Sequence, residues 1–143
     1  MRRAAPPAPA LLLAPLLALA ACAAPAPPPA ACSAPWQLSA AGPSGPVQLL
    51  DHGLGGALAA RLLEQGRTPS GTVSVVLELT NCTGSPLQVE ARTQFFDSRQ
   101  VPTEPPSGWH RIHLPPYALG SYQESSTDAQ RVASFRIEIR AAR

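Results

Sequence analysis

The chain has 143 residues, room for one domain, and a formal net charge of +2. All 11 basic residues are arginine, and 18 residues are proline. Removing residues 1–21 takes away Arg2 and Arg3 and leaves nine arginines against nine carboxylates. That balance lacks the cation excess that nucleic acid or an anionic membrane surface requires.

Arg2 and Arg3 precede an apolar run, Leu11 to Leu19, followed by the small residues Ala20 and Ala21. This is the layout of a cleaved signal peptide over residues 1–21. The run is too short to span a bilayer and contains Pro15. Leu19-Ala20-Ala21-Cys22 resembles the bacterial lipobox: a long apolar residue, two small residues, then a cysteine that takes a diacylglyceryl group. Cys22 is therefore the expected lipid-attachment residue, and the membrane the expected partner of that lipid. Ala23, not aspartate, follows it. This resembles lipoproteins sorted to the periplasmic side of the outer membrane. Two or three acyl chains hold stably, because each buried methylene contributes about 0.8 kcal/mol.

Residues 22–46 read as a lipidated cysteine and an Ala/Pro-rich tether. Ala23 to Pro35 is mostly alanine with five prolines, a composition for extended, polyproline-like chain. Cys32 lies in it without a lipobox. With Cys22 acylated, Cys32 and Cys82 remain, an even pair in an oxidising compartment and a candidate disulfide.

The domain is expected over residues 47–143. Gly42, Pro43, Gly45 and Pro46 mark turns, and Val47 to Leu50 suits a short edge segment. Leu54 to Gln65 is ambiguous: Leu54, Leu58, Arg61, Leu62 and Gln65 fit a helix face. The turn signal Thr68-Pro69-Ser70-Gly71 before a strong strand favours a hairpin, with a strand over Ala59 to Arg67. From Thr72 the alternation is clean. Val73, Val75, Leu77 and Leu79 share one face against Ser74, Glu78 and Thr80. After the turn Asn81 to Pro86, the residues Leu87, Val89, Ala91, Thr93 and Phe95 oppose Gln88, Glu90, Arg92 and Gln94. A proline-rich loop over Val101 to Ser107 precedes short strands at Trp109–Leu114 and Leu119–Ser125. Phe135 to Arg140 alternates to the end. Several short strands with turn signals between them predict an all-β, immunoglobulin-like antiparallel sandwich.

The stretches "VSVVLELTNCTGSPLQVEARTQFFDSRQ", "PSGWHRIHLPPYALGSYQES" and "VASFRIEIR" resemble the YcfL family of bacterial periplasmic lipoproteins, a domain of unknown function. The points of resemblance are Asn81, Phe95, Phe96, Asp97, Trp109, Pro115 and Phe135-Arg136, across roughly residues 57–140. The resemblance implies an immunoglobulin-like sandwich and an envelope location, and it implies no catalytic residues. Cys82 departs from it, standing where many relatives carry a small polar residue.

No nucleophile elbow, phosphate-binding loop or Cys-x-x-Cys occurs, so neither an enzyme nor a cofactor is expected. His110 and His113, three apart, fall on opposite faces of a strand, and no metal site is expected. Asp97 suits a hairpin turn, and His52 a solvated loop. Arg92, Arg136 and Arg140 stand on outward positions, as a basic stripe or paired with Glu90 and Glu138. Phe96, Val101 and Trp109 are the candidate partner patch, with covering of the sandwich end as the plainer role. The expected function is a non-catalytic interaction module docking an unidentified envelope protein; the alternative is a small-ligand or cell-wall glycan binder.

Overall fold

The computed structural model describes residues 28–33, 45–128 and 130–143. The readings that fall on residues 1–27 and 34–44, including the signal peptide and Cys22, lie outside the described residues. Among the described residues seven strands follow one another: β1 Val47–Leu49, β2 Leu58–Arg67, β3 Val73–Asn81, β4 Leu87–Phe96, β5 His110–Leu114, β6 Leu119–Ser125 and β7 Ser134–Ala141. They form two sheets packed as a sandwich, one ordered β1-β7-β4-β5 and the other β2-β3-β6.

The alternation in the sequence decides which faces meet. Val75, Leu77 and Leu79 of β3 and Val89, Ala91, Ile137 and Ile139 of β4 and β7 are fully buried in one core. Burying each large aliphatic side chain contributes about 1.5–3 kcal/mol. β6 contributes Tyr122 and places Gly120 beneath Leu114, where a Cβ would sit 2.5 Å from a Leu114 methyl. A side chain there would force Leu114 to shift, so glycine is favoured by close approach and not by backbone angle.

Two features depart from a plain antiparallel sandwich. β1 is an edge strand as expected, but it runs parallel to β7, with Val47 opposite Ile137 and Leu49 opposite Ile139. The turn His52–Leu54, anchored by buried Leu54, then carries the chain to the second sheet. β2 is a strand, and its weak alternation has a cause. The β2–β3 register shifts between Leu62 and Glu64, which leaves Leu63 as a bulge. Before the bulge Leu58, Ala60 and Leu62 share a face with the inward residues of β3. After it Gln65 and Arg67 take that register, opposite Val75 and Val73. A helical spacing of leucines and a bulged strand look alike in sequence for this reason.

The tether reading needs correction at Ala30–Ser33. These residues form a 3-10 turn, closed by the Cys32 N–H donating to the Pro29 carbonyl at 2.8 Å. Their neighbour is β2, and Cys32 is disulfide-bonded to Cys82 with the α-carbons 5.6 Å apart. A covalent partner on the domain holds a turn that alanine and proline alone would not keep.

Candidate binding face of the four-stranded sheet

On β4 and β7 the residues opposite the core point to the outer face: Gln88, Glu90, Arg92 and Gln94 on one strand, Arg136, Glu138 and Arg140 on the other. The register sets Glu90 opposite Arg140, Arg92 opposite Glu138 and Gln94 opposite Arg136. Opposite charges thus meet across the strands. Arg92 Nε donates to Glu138 Oε2 at 2.7 Å. Arg140 Nε donates to Glu90 Oε2 at 2.9 Å, and Arg111 Nη2 from β5 donates to Glu90 Oε1 at 2.9 Å. The arginine stripe is therefore largely neutralised, as cross-strand pairing predicts. Glu90 is 7% exposed, and the two guanidinium groups, Arg111 first and then Arg140, hold its pKa below the usual glutamate range.

Trp109, just before β5, lies against this network. The Arg140 guanidinium carbon is 3.9 Å from the centre of the indole ring, and that of Arg92 is 4.4 Å from it. The ring face attracts both cations, and the carboxylates behind them fix their orientation. Half-buried Trp109 is thus a rigid aromatic plate framed by two arginines at the middle of an outward sheet face.

The three candidate patch residues do not form one apolar surface. Phe96 points to the same outer side as Arg92 and Gln94, yet it is only 8% exposed. The Arg136 guanidinium lies 5.0 Å above its ring, and Pro102 bridges its backbone. Phe96 is therefore a covered residue and not a free docking aromatic. Val101, 51% exposed, stands on the loop after β4. Asp97 shapes that loop: its Oδ1 accepts the N–H groups of Arg99 at 2.8 Å and Val101 at 2.9 Å. These bonds lower the Asp97 pKa, that to Val101 most. Asp97 is a turn residue. Spacing along the chain had no way to reveal the stacking of Trp109, because its two arginines come from β4 and β7. The visible signal was the alternation of arginine and glutamate on both strands.

The remaining candidates serve structure. His110 pairs with inward Ala91 and His113 with outward Gln88, so the two imidazoles face opposite sides. Among the described residues no group of three metal-binding side chains occurs. His110 Nε2 is 3.5 Å from Glu124 Oε2 and stands edge-on to Tyr122. The Tyr122 hydroxyl hydrogen-bonds Thr93 Oγ1 at 2.9 Å, and burial raises its pKa, so it keeps its proton at neutral pH. Asn81 is fully buried. Its Nδ2 donates to the carbonyls of Ser85, Leu114 and Pro115, and its Oδ1 accepts from Thr83 N–H and Oγ1. That amide ties the β3–β4 turn to the end of β5.

No family model matches the sequence, and no curated protein matches it. Solved structures share the fold. The Campylobacter jejuni protein cj0090 aligns at 16% identity and a TM-score of 0.50, over 67% of this chain and 97% of that one. A DUF1425 family member from Shewanella sp. pv-4 aligns at 10% identity and a TM-score of 0.53, over 60% of this chain and 79% of that one. At these identities the likeness is one of fold.

Proposed function

We propose that this chain is a lipid-anchored, non-catalytic binding domain of the bacterial envelope, of the YcfL type, which engages another envelope protein through the outer face of its four-stranded sheet. The observation that carries the reading is Trp109 stacked on the guanidinium groups of Arg92 and Arg140. Tryptophan and arginine dominate binding energy at protein interfaces, and here both are preorganised, so little side-chain entropy is lost on contact. The sandwich shared with a DUF1425 family member fits this reading, as does the order of points from Asn81 to Phe135-Arg136.

The anchor rests on Leu19 to Cys22. Cys32 lies ten residues after Cys22, and a fully extended chain of ten steps spans at most about 35 Å. The Cys32–Cys82 bond would then keep the Asn81–Pro86 end of the sandwich near the membrane, and the loop bearing Val101 would look away from it. The anchor is tested by labelling cells with palmitate and fractionating them. Wild type should carry label and sediment with outer membranes, whereas Cys22→Ser should carry none and either leave the membranes or keep its signal segment. Equal retention without label in both forms would refute the anchor. The face is tested separately, by crosslinked capture with wild type and Trp109→Ala at equal levels. A loss of at least fivefold in the captured species is expected.

A further inference from the structure

Arg136 differs from its neighbours on the sheet face. Arg92, Arg111 and Arg140 each reach a carboxylate, whereas Arg136 stacks on Phe96 and makes no ion pair among the described residues. It opens onto a groove of about 370 Å³ at the start of β7, lined also by Gln48, Phe96, Gln100 and Ser134. β1 pairs with β7 only from Ile137 onward, so on that side the first residues of β7, paired with β4 on the other, face Gly45 and Pro46 across the notch.

The polar groups of the groove are organised. Gln100 sits at φ 63, a left-handed conformation more usual for glycine or asparagine. The turn built on Asp97 holds it there, with the Gln100 N–H donating to the Asp97 carbonyl at 3.1 Å. In that position its Nε2 donates to Ser134 Oγ at 3.0 Å. A hydroxyl that accepts from Gln100 still has its own proton to donate. The Arg136 fork adds N–H donors, and the aromatic ring beneath keeps its plane in place. The groove is thus rich in donors, carries a positive charge with no carboxylate partner among the described residues, and has a flat cation of the shape that binds a carboxylate through two parallel hydrogen bonds.

We propose that this groove binds a carboxylate group, taken by the Arg136 guanidinium and the Ser134 hydroxyl. The carboxylate belongs to a peptide C-terminus or to an acidic sugar, and the two sources are separated by the test. The site is independent of the anchor and of Trp109, so its failure leaves the proposed function standing, and the reverse holds as well.

The experiment is a nuclear magnetic resonance titration of the mature chain, residues 22–143, with Cys22→Ser to remove the lipid and with the disulfide intact. The probes are acetyl-alanyl-alanine, the same peptide as its C-terminal amide, and glucuronate. At least one of the two carboxylates should move the backbone signals of Gln100, Ser134 and Arg136 to saturation, and the tighter of the two identifies the source. The amide should bind at least tenfold more weakly than the acid. Arg136→Gln should weaken carboxylate binding at least tenfold, and Arg136→Lys, which keeps the charge but loses the fork, about threefold or more. Ser134→Ala is a second probe for the event that Arg136→Gln does not fold, and should weaken binding a few-fold. Absence of shifts with both carboxylates, equal binding of peptide acid and amide, or undiminished binding by folded Arg136→Gln and Ser134→Ala would overturn the proposal.

Discussion

Cys32 and Cys82 are bonded across a sequence separation of 50 residues, joining a turn ahead of the sandwich to the residue that follows β3. Closing a loop of that length stabilises a fold by roughly 4 kcal/mol on the chain-entropy model, commonly less in practice. Cys82→Ser, compared with wild type by urea unfolding, should therefore lose about 2–4 kcal/mol. Unreduced wild-type protein should show neither of these thiols to alkylation. Two alkylatable thiols in the folded monomer before reduction would contradict the bond.

Asn81 should be the most costly polar residue to replace. Asn81→Ala leaves the carbonyls of Leu114 and Pro115 without their donor and frees Thr83. A loss of about 3 kcal/mol or more is expected, because several buried groups lose partners at once. Asn81→Asp retains the size but not the NH₂ donor, so it should not rescue stability. Denaturant midpoints of the two variants check this, and near-wild-type stability of the aspartate form would contradict it.

Gly120→Ala should destabilise the sandwich although alanine suits a strand better than glycine does. The added methyl meets Leu114, itself fully buried, at 2.5 Å. Overpacking of this kind costs about 1–3 kcal/mol. A thermal melt of Gly120→Ala at or above the wild-type midpoint would show that Leu114 has room to move.

The Glu90 pKa is lowered in the folded chain, from an ordinary value of 4.5, by its hydrogen bonds to Arg111 and Arg140. The sign follows from linkage. A carboxyl with a depressed folded pKa contributes stability that is fully present above its unfolded pKa and is lost as pH falls through the folded one. Wild type should thus be more stable than Glu90→Gln at neutral pH, and the gap should close below the ordinary glutamate range. Midpoints taken from pH 7 down to pH 2.5 test it; a gap that stays constant with pH would remove the ion pairs from the explanation.

Strand positions from Val73 onward were legible because each sheet has one wet face and one dry face, and period-two alternation records that directly. The first part of the domain was harder to read for specific reasons. The Leu63 bulge breaks the alternation of β2 midway, so its leucines also fit a helix. The parallel direction of β1 depends on its pairing with β7, some 90 residues later, as between Val47 and Ile137. Phe96 was visibly out of phase with the core, but its cover, Arg136, comes from another strand. The candidate face was legible as paired charges at Arg92, Glu138, Glu90 and Arg140, while the placing of Trp109 over them is a tertiary fact. Gln100, whose left-handed backbone aims a side chain at Ser134, carried no sequence signal at all.

The central claim, that the outer face of the four-stranded sheet meets a protein of the envelope, is tested most directly by photocrosslinking in cells. A photoreactive residue is placed in turn at Gln88 and His113, which are exposed on that face, and at Gln123, exposed on β6 of the other sheet. One discrete adduct is expected from Gln88 and His113, absent from Gln123 and lost when Trp109→Ala is added. Adducts of equal strength from Gln123, or adducts from the face that survive Trp109→Ala, would contradict it.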